Sequence, residues 1–150
     1  MQPARSRAVG SGGDLIMQAH LWVAIVTLAA LLLYFFMGLR VGRARSRFGV
    51  AAPATTGHPD FERAFRVQAN TLEWLPLFLV SMWLFALYWN DLVAAGVGVV
   101  WIIGRTLYMA GYSRAAEARS VGFGIQALAT AVLLFGGLGR VIWLLVVGTP

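Results

Sequence analysis

The sequence predicts an all-α integral membrane protein, a four-transmembrane-helix bundle. Three observations carry that prediction. The 150 residues are 59% hydrophobic and 12% charged, with a mean hydropathy of +0.74; a soluble domain is about a quarter charged, so lipid is the expected solvent. Four apolar runs approach or reach the about 20 residues that a helical span requires. The charges fall mostly between these runs.

Residues 1–19 read as a disordered N-terminal extension, with Met17 as an alternative start; the membrane domain covers 20–150. The first span runs from Leu21 to Leu39 without a charge. Arg40, Arg43, Arg45 and Arg47 follow it where a signal peptide would carry a small-residue cleavage site, so the span is expected to be retained. The second apolar run, Leu75 to Asn90, lengthens into a full span if its helix starts near Asp60. Asp60, after Pro59 and before Glu62, is expected to be the N-cap of that helix. Pro76 is expected to loosen or kink it just inside the apolar run. "WNDL" then leaves two or three residues for a turn, which makes the second and third spans antiparallel neighbours. The third span, Leu92 to Gly111, is interrupted only by Arg105. The fourth, Ser120 to Gly139, continues past Arg140 into "VIWLLVVG".

Charge sets the expected orientation. All twelve basic residues are arginine. Six lie between Arg40 and Arg66 against Asp60 and Glu62, and three between Arg105 and Arg119 against Glu117. The connection between the second and third spans offers only Asn90 and Asp91. The two arginine-rich loops therefore face the cytoplasm and both termini face away; in a bacterial cell the membrane is the inner one. A net charge of +6 would suit nucleic acid, but no exposed basic face carries it, so nucleic acid is excluded as a partner. Cysteine is absent, which removes disulfides, a thiol nucleophile and cysteine metal sites. With His20 and His58 the sole imidazoles, no metal site is expected.

Helical phase gathers the remaining polar residues. Arg66, Asn70 and Glu73 fall at i, i+4 and i+7 on one stripe, with Arg63 a turn below Arg66 on that side. Arg105, Tyr108 and Tyr112 fall at i, i+3 and i+7, and Arg119 returns near the same face if the helix runs on; Arg114 points elsewhere. Arg40, Arg43, Arg47, Arg114 and Arg140 suit headgroup anchors, and the tryptophans and His20 suit packing or the membrane edge. Glu73 and Arg105 also fit a purely structural ion pair. Anchoring leaves Asn70 and Glu73 unexplained, because polar groups at membrane depth are costly. Several guanidiniums, two phenols, a carboxamide and a carboxylate together suit a small zwitterionic anion, and the lipid-facing wall beside them would admit a hydrophobic second substrate.

Two stretches carry a family resemblance. "TTGHPDFERAFRVQANTLEWLPLF", residues 55–78, contains E-R-x-x-R-x-Q-x-N-x-x-E followed by an aromatic residue, one residue and proline. "GRTLYMAGYSRAAEAR", residues 104–119, contains R-x-x-Y-x-x-G-Y and a later arginine. With the four-span context, these make the chain resemble the MAPEG family, membrane-associated proteins in eicosanoid and glutathione metabolism. The similarity covers residues 20–135 and is to the branch of cysteinyl-leukotriene synthase and the microsomal glutathione transferases.

The resemblance implies a homotrimer that binds glutathione, as co-substrate, at subunit interfaces near the cytoplasmic side. It implies that Arg66, Gln68, Asn70 and Glu73 hold glutathione from the second helix, and Tyr108 and Tyr112 from the third. Arg45 would reach it across the subunit boundary, and Arg119 would be the catalytic residue, stabilising the thiolate. Arg63 and Arg105 are expected in structural or secondary roles. Trp74 stands where the synthase has tyrosine, and Ser46 where it has a second loop arginine. The implied activity is a glutathione transferase, with peroxidase activity as an extension, acting on a hydrophobic electrophile or lipid hydroperoxide. The alternative is a non-catalytic lipid-binding or scaffold protein similar to five-lipoxygenase-activating protein, in which several of these polar positions are replaced. A small coupled transporter is disfavoured, because it needs an acidic residue deep in a span and Glu73 lies near a membrane edge.

Overall fold

The structure, a computed structural model, describes residues 20–114 and 117–148. The extension expected at residues 1–19 lies outside the described residues. Among the described residues, four long helices, α1 (Leu21–Phe48), α2 (Pro59–Tyr88), α3 (Asp91–Arg114) and α4 (Ser120–Val147), are joined by short connections, with a 3-10 turn at Glu117–Arg119. Each helix is long and apolar enough to cross a membrane. All four carry exposed large apolar residues, among them Leu28, Leu32, Val80, Leu87, Ile103, Leu128 and Phe135. A continuous apolar exterior on every helix is what lipid, not water, would solvate.

The helix ends are fixed locally, and one of them differs from expectation. His58, not Asp60, is the N-cap of α2: its Nδ1 accepts the Asp60 N–H at 3.2 Å, and Pro59 occupies the first helical position. Proline suits that position because its missing N–H would have no intrahelical partner there. Asp60 and Glu62 fall in the first turn instead, and the Glu62 carboxylate accepts the Gly57 N–H at 2.9 Å. The helix runs through Pro76 as one element to Tyr88. Trp89 and Asn90 form the turn to α3, where the Asn90 side chain accepts the Val93 N–H at 3.0 Å. Asp91 does more than start α3: its carboxylate accepts the N–H groups of Trp22 and Val23 at 3.1 and 3.4 Å. The second hairpin thereby caps the first helix, satisfying donors that α1 leaves unpaired. His20 Nδ1 lies 3.4 Å from the same carboxylate, so His20 belongs to this junction.

Packing follows side-chain size. Phe78 and Trp101 stack with centroids 4.1 Å apart, within a core that includes Val23, Met82, Phe85 and Leu133. Between α3 and α4 the backbones approach closely. A Cβ on Gly104 would stand 2.8 Å from the Gln126 nitrogen, and one on Gly122 would collide with the Tyr108 backbone. Small residues at such crossings let membrane helices touch along their backbones. The start of α4 is thus held against the tyrosine-bearing end of α3.

Candidate functional site

The arginine-bearing ends of α1, α2 and α3 and the 3-10 turn that precedes α4 lie at one end of the bundle, and the candidate residues are distributed among them; Arg140 of α4 lies at the other end, donating to the Tyr88 carbonyl. At the junction of α2 and α3, Arg105 is fully buried, with 0% exposure. Its guanidinium donates to the Asn70 side-chain oxygen at 3.0 Å and to the Asn70 backbone carbonyl at 2.7 Å. It also lies over the Tyr108 ring, 4.9 Å from the centroid. Asn70 in turn donates through its amide nitrogen to Glu73 at 3.2 Å. Arg105 and Glu73, which sequence spacing allows as an ion pair, are instead linked through the carboxamide. Asn70 offers an oxygen to the cation and a nitrogen to the anion, and both of those bonds are charge-assisted. Glu73 itself remains exposed, as does Arg66 on the same stripe.

Tyr108 and Tyr112 continue this surface down α3. Both are buried in a second apolar layer with Met37 and Val67, and their rings lie 5.7 Å apart. Arg119 meets them by an unexpected route. Helix α3 stops at Arg114, so Arg119 does not return by helical phase. The chain folds back through the 3-10 turn, and the Arg119 guanidinium donates to the Tyr112 hydroxyl at 3.3 Å while lying over its ring at 5.2 Å. Gly111 permits the fold-back, because a Cβ there would strike the Ala118 carbonyl. Arg119 is otherwise exposed, so its charge faces outward from a base of buried tyrosine.

Phe123 joins the site without any signal in helical spacing. It stands edge-on to Trp74 at 5.4 Å and 6.3 Å from Tyr108, bridging α2, α3 and α4. Trp74, which occupies the tyrosine position of the resembling branch, thus packs as a wall.

Two candidates lie elsewhere. Gln68 faces α1, where its amide nitrogen is 3.3 Å from the position a Cβ on Gly38 would take. Arg45, near the end of α1, donates to the Ala54 carbonyl at 2.8 Å and covers the Phe61 ring at 4.7 Å. Within one chain, neither is among the residues that touch Tyr112 or Arg119. Arg63 also departs from its expected side. It pairs with Asp60 and lines a cavity between α1 and α2 with Arg40, Arg43 and Arg47. Arg40, expected as an anchor, donates to Ser113 of α3 at 3.1 Å. Among the described residues there is no group of three or more histidine, cysteine or acidic side chains that could hold a metal ion.

The arrangement can bind a small molecule bearing both charges, and it sets an exposed, permanent cation beside a phenol. The MAPEG family matches residues 23–139. The chain is 50% identical over 123 residues to an uncharacterized protein of Synechocystis sp., covering 82% of this chain and 90% of that one. It is 45% identical over 108 residues to microsomal glutathione S-transferase 2 of Homo sapiens, covering 69% of this chain and 71% of that protein. It is 42% identical over 97 residues to leukotriene C4 synthase of Cavia porcellus, covering 65% of each.

Proposed function

The chain belongs to the MAPEG family, and on that premise we propose that it is a membrane-bound glutathione transferase. The observation that carries the proposal is the linked pair of clusters, Arg105–Asn70–Glu73 and Tyr108–Tyr112–Arg119, at one end of the α2–α3–α4 packing. Glutathione has two carboxylates, an ammonium, two amides and a thiol. Exposed Arg66 suits a carboxylate, exposed Glu73 the ammonium, and Asn70 and Tyr108 the amides. Arg105 is already committed to Asn70, so its role is to hold that carboxamide, not to bind substrate.

Arg119 is the catalytic residue. The thiolate is the nucleophile, and a neighbouring fixed cation lowers the pKa of a thiol. The Tyr112 hydroxyl positions that cation, and arginine stays protonated throughout. The thiolate sulfur donates its electron pair to an electrophilic carbon and forms a thioether. The displaced group, or an opened epoxide oxygen, takes the bond pair and a proton from water. With a lipid hydroperoxide the same sulfur attacks the O–O bond, releasing the alcohol. The resulting sulfenic acid condenses with a second glutathione to give the disulfide and water. No protein nucleophile is required, and the chain has no cysteine to supply one.

The assembly is a homotrimer with the site between subunits. Arg45 and Gln68 lie on the α1 side, so they serve a neighbour's Tyr112 and Arg119 rather than their own. The arginine-rich ends face the cytoplasm, and the apolar exterior brings the hydrophobic substrate in from the bilayer. The test is turnover: purified protein with glutathione and a panel of lipophilic electrophiles and hydroperoxides. Conjugation or reduction that falls at least a hundredfold in Arg119→Ala is expected. Glutathione binding without any turnover across the panel would leave a binding protein and end the proposal.

A further inference from the structure

The cavity between α1 and α2, with Ser113 of α3 at its edge, includes none of the residues of the cluster above. It measures about 480 Å³ and is lined by Arg40, Arg43 and Arg47 of α1 and Arg63 of α2, with Phe36 and Phe48 as its aromatic walls. One carboxylate, Asp60, faces these four guanidiniums. Asp60 is taken by Arg63, and the other acid of the first turn, Glu62, is bonded to the Gly57 N–H. Arg40 is pinned by Ser113 and Arg63 by Asp60, so two of the cations are held in place. The Nε of Arg63 is shielded from solvent yet has no hydrogen-bond partner. Arg43 and Arg47 are exposed at the rim, and no acidic residue pairs with them among the described residues.

Headgroup anchoring explains single arginines at helix ends; it does not require four to converge on one concavity. Four like charges lining one concavity, with a single carboxylate among them, repel, and an anion bound there would offset that repulsion. The volume is that of a small-molecule site. Guanidinium favours phosphate, because it presents paired N–H donors to a tetrahedral anion. Phe36, 44% exposed on the lipid-facing side of α1, continues the wall toward the apolar zone. An acyl chain attached to a phosphate would lie along it.

We propose that this cavity is a phosphate-binding site, built for the headgroup of an anionic phospholipid and separate from the glutathione cluster. Basic pockets between membrane helices take such headgroups. Arg43 and Arg47 close over the phosphate from the rim, Arg40 and Arg63 hold it from within, and Phe36 contacts the chain.

The experiment uses the full chain in detergent, with native mass spectrometry and thermal unfolding as readouts. Three probes are titrated: phosphatidylglycerol, phosphatidylcholine and soluble glycerol phosphate. Saturable binding of phosphatidylglycerol, well ahead of phosphatidylcholine, is expected. Each rim arginine contributes roughly fivefold to affinity, so Arg43→Gln with Arg47→Gln should weaken binding roughly twenty-five-fold. Both side chains are exposed and hold no other element in place, so folding should survive. Arg114→Gln removes the same kind of charge from outside the cavity and should leave affinity within about twofold. If glycerol phosphate binds as tightly as the lipid, the site stands and its source is soluble phosphate. If Arg114→Gln costs as much per charge as the rim pair, or phosphatidylcholine binds equally, the charge acts diffusely and the site is overturned.

Discussion

Asn70→Ala tests whether the buried arginine is held by one carboxamide. In the parent, Arg105 has no exposure and receives two oxygens from a single residue, at 3.0 and 2.7 Å. The substitution removes the first and leaves the backbone carbonyl. A hydrogen bond to a charged group is worth about 1.5–3 kcal/mol. Complete loss of a buried charge's partner reaches about 3–5 kcal/mol. Because one acceptor survives, the lower range applies, about 2–3 kcal/mol. For a chain of this size that corresponds to a fall in Tm of roughly 5–10 °C. Glu73→Gln is the comparison. Glu73 is exposed and accepts a single bond from Asn70, so it should cost less than about 1 kcal/mol. Thermal unfolding of both variants in one detergent, followed by circular dichroism, measures the difference. Equal effects from the two, or none from Asn70→Ala, would refute the claim that Asn70 is what pays for burying Arg105.

Other substitutions separate chemistry from support. Arg119→Ala should raise the pKa of bound glutathione's thiol by about one unit or more, since one unit is about 1.4 kcal/mol of thiolate stabilisation. Parent activity should rise as pH passes through the lowered thiol pKa and then level off, and in the variant that rise should move to higher pH, read from kcat/KM against pH. Gly111→Val places side-chain atoms against the Ala118 carbonyl and displaces the turn carrying Arg119. Glutathione turnover should fall by about a hundredfold, the order expected for an ångström-scale misplacement, while the far end of the bundle keeps its stability. Asp91→Ala, at that far end, removes the acceptor for the Trp22 and Val23 N–H groups. It should lower stability by about 1 kcal/mol and leave the transferase pH profile unchanged, measured by paired melting and kinetic assays.

The helices are legible in the sequence because lipid demands long apolar runs, and the structure has four helices over those runs. The Asn70–Glu73 stripe and the Arg105–Tyr108–Tyr112 face are legible for a related reason, since helical phase alone puts each set on one side. What phase misses is contact between helices. Nothing in spacing shows that Asp91 caps a helix whose first turn lies 69 residues upstream. Nor does it show that Phe123 closes on Trp74. The choice between His58 and Asp60 as cap is hidden because both side chains offer an acceptor near the right position. Arg119 reaches the site because α3 ends and the chain turns back beside Gly111, whereas phase brings it there only if the helix continues. Arg63 is misplaced by phase because the Asp60 carboxylate draws it toward α1.

The most direct measurement is the ultraviolet difference spectrum of purified protein titrated with glutathione near neutral pH, beside Arg119→Ala. A saturable thiolate band in the parent, lost or moved to higher pH in the variant, is the result expected of a thiol ionised by Arg119. A parent that shows no thiolate band at saturating glutathione, or a variant that shows the same band at the same pH, would contradict it.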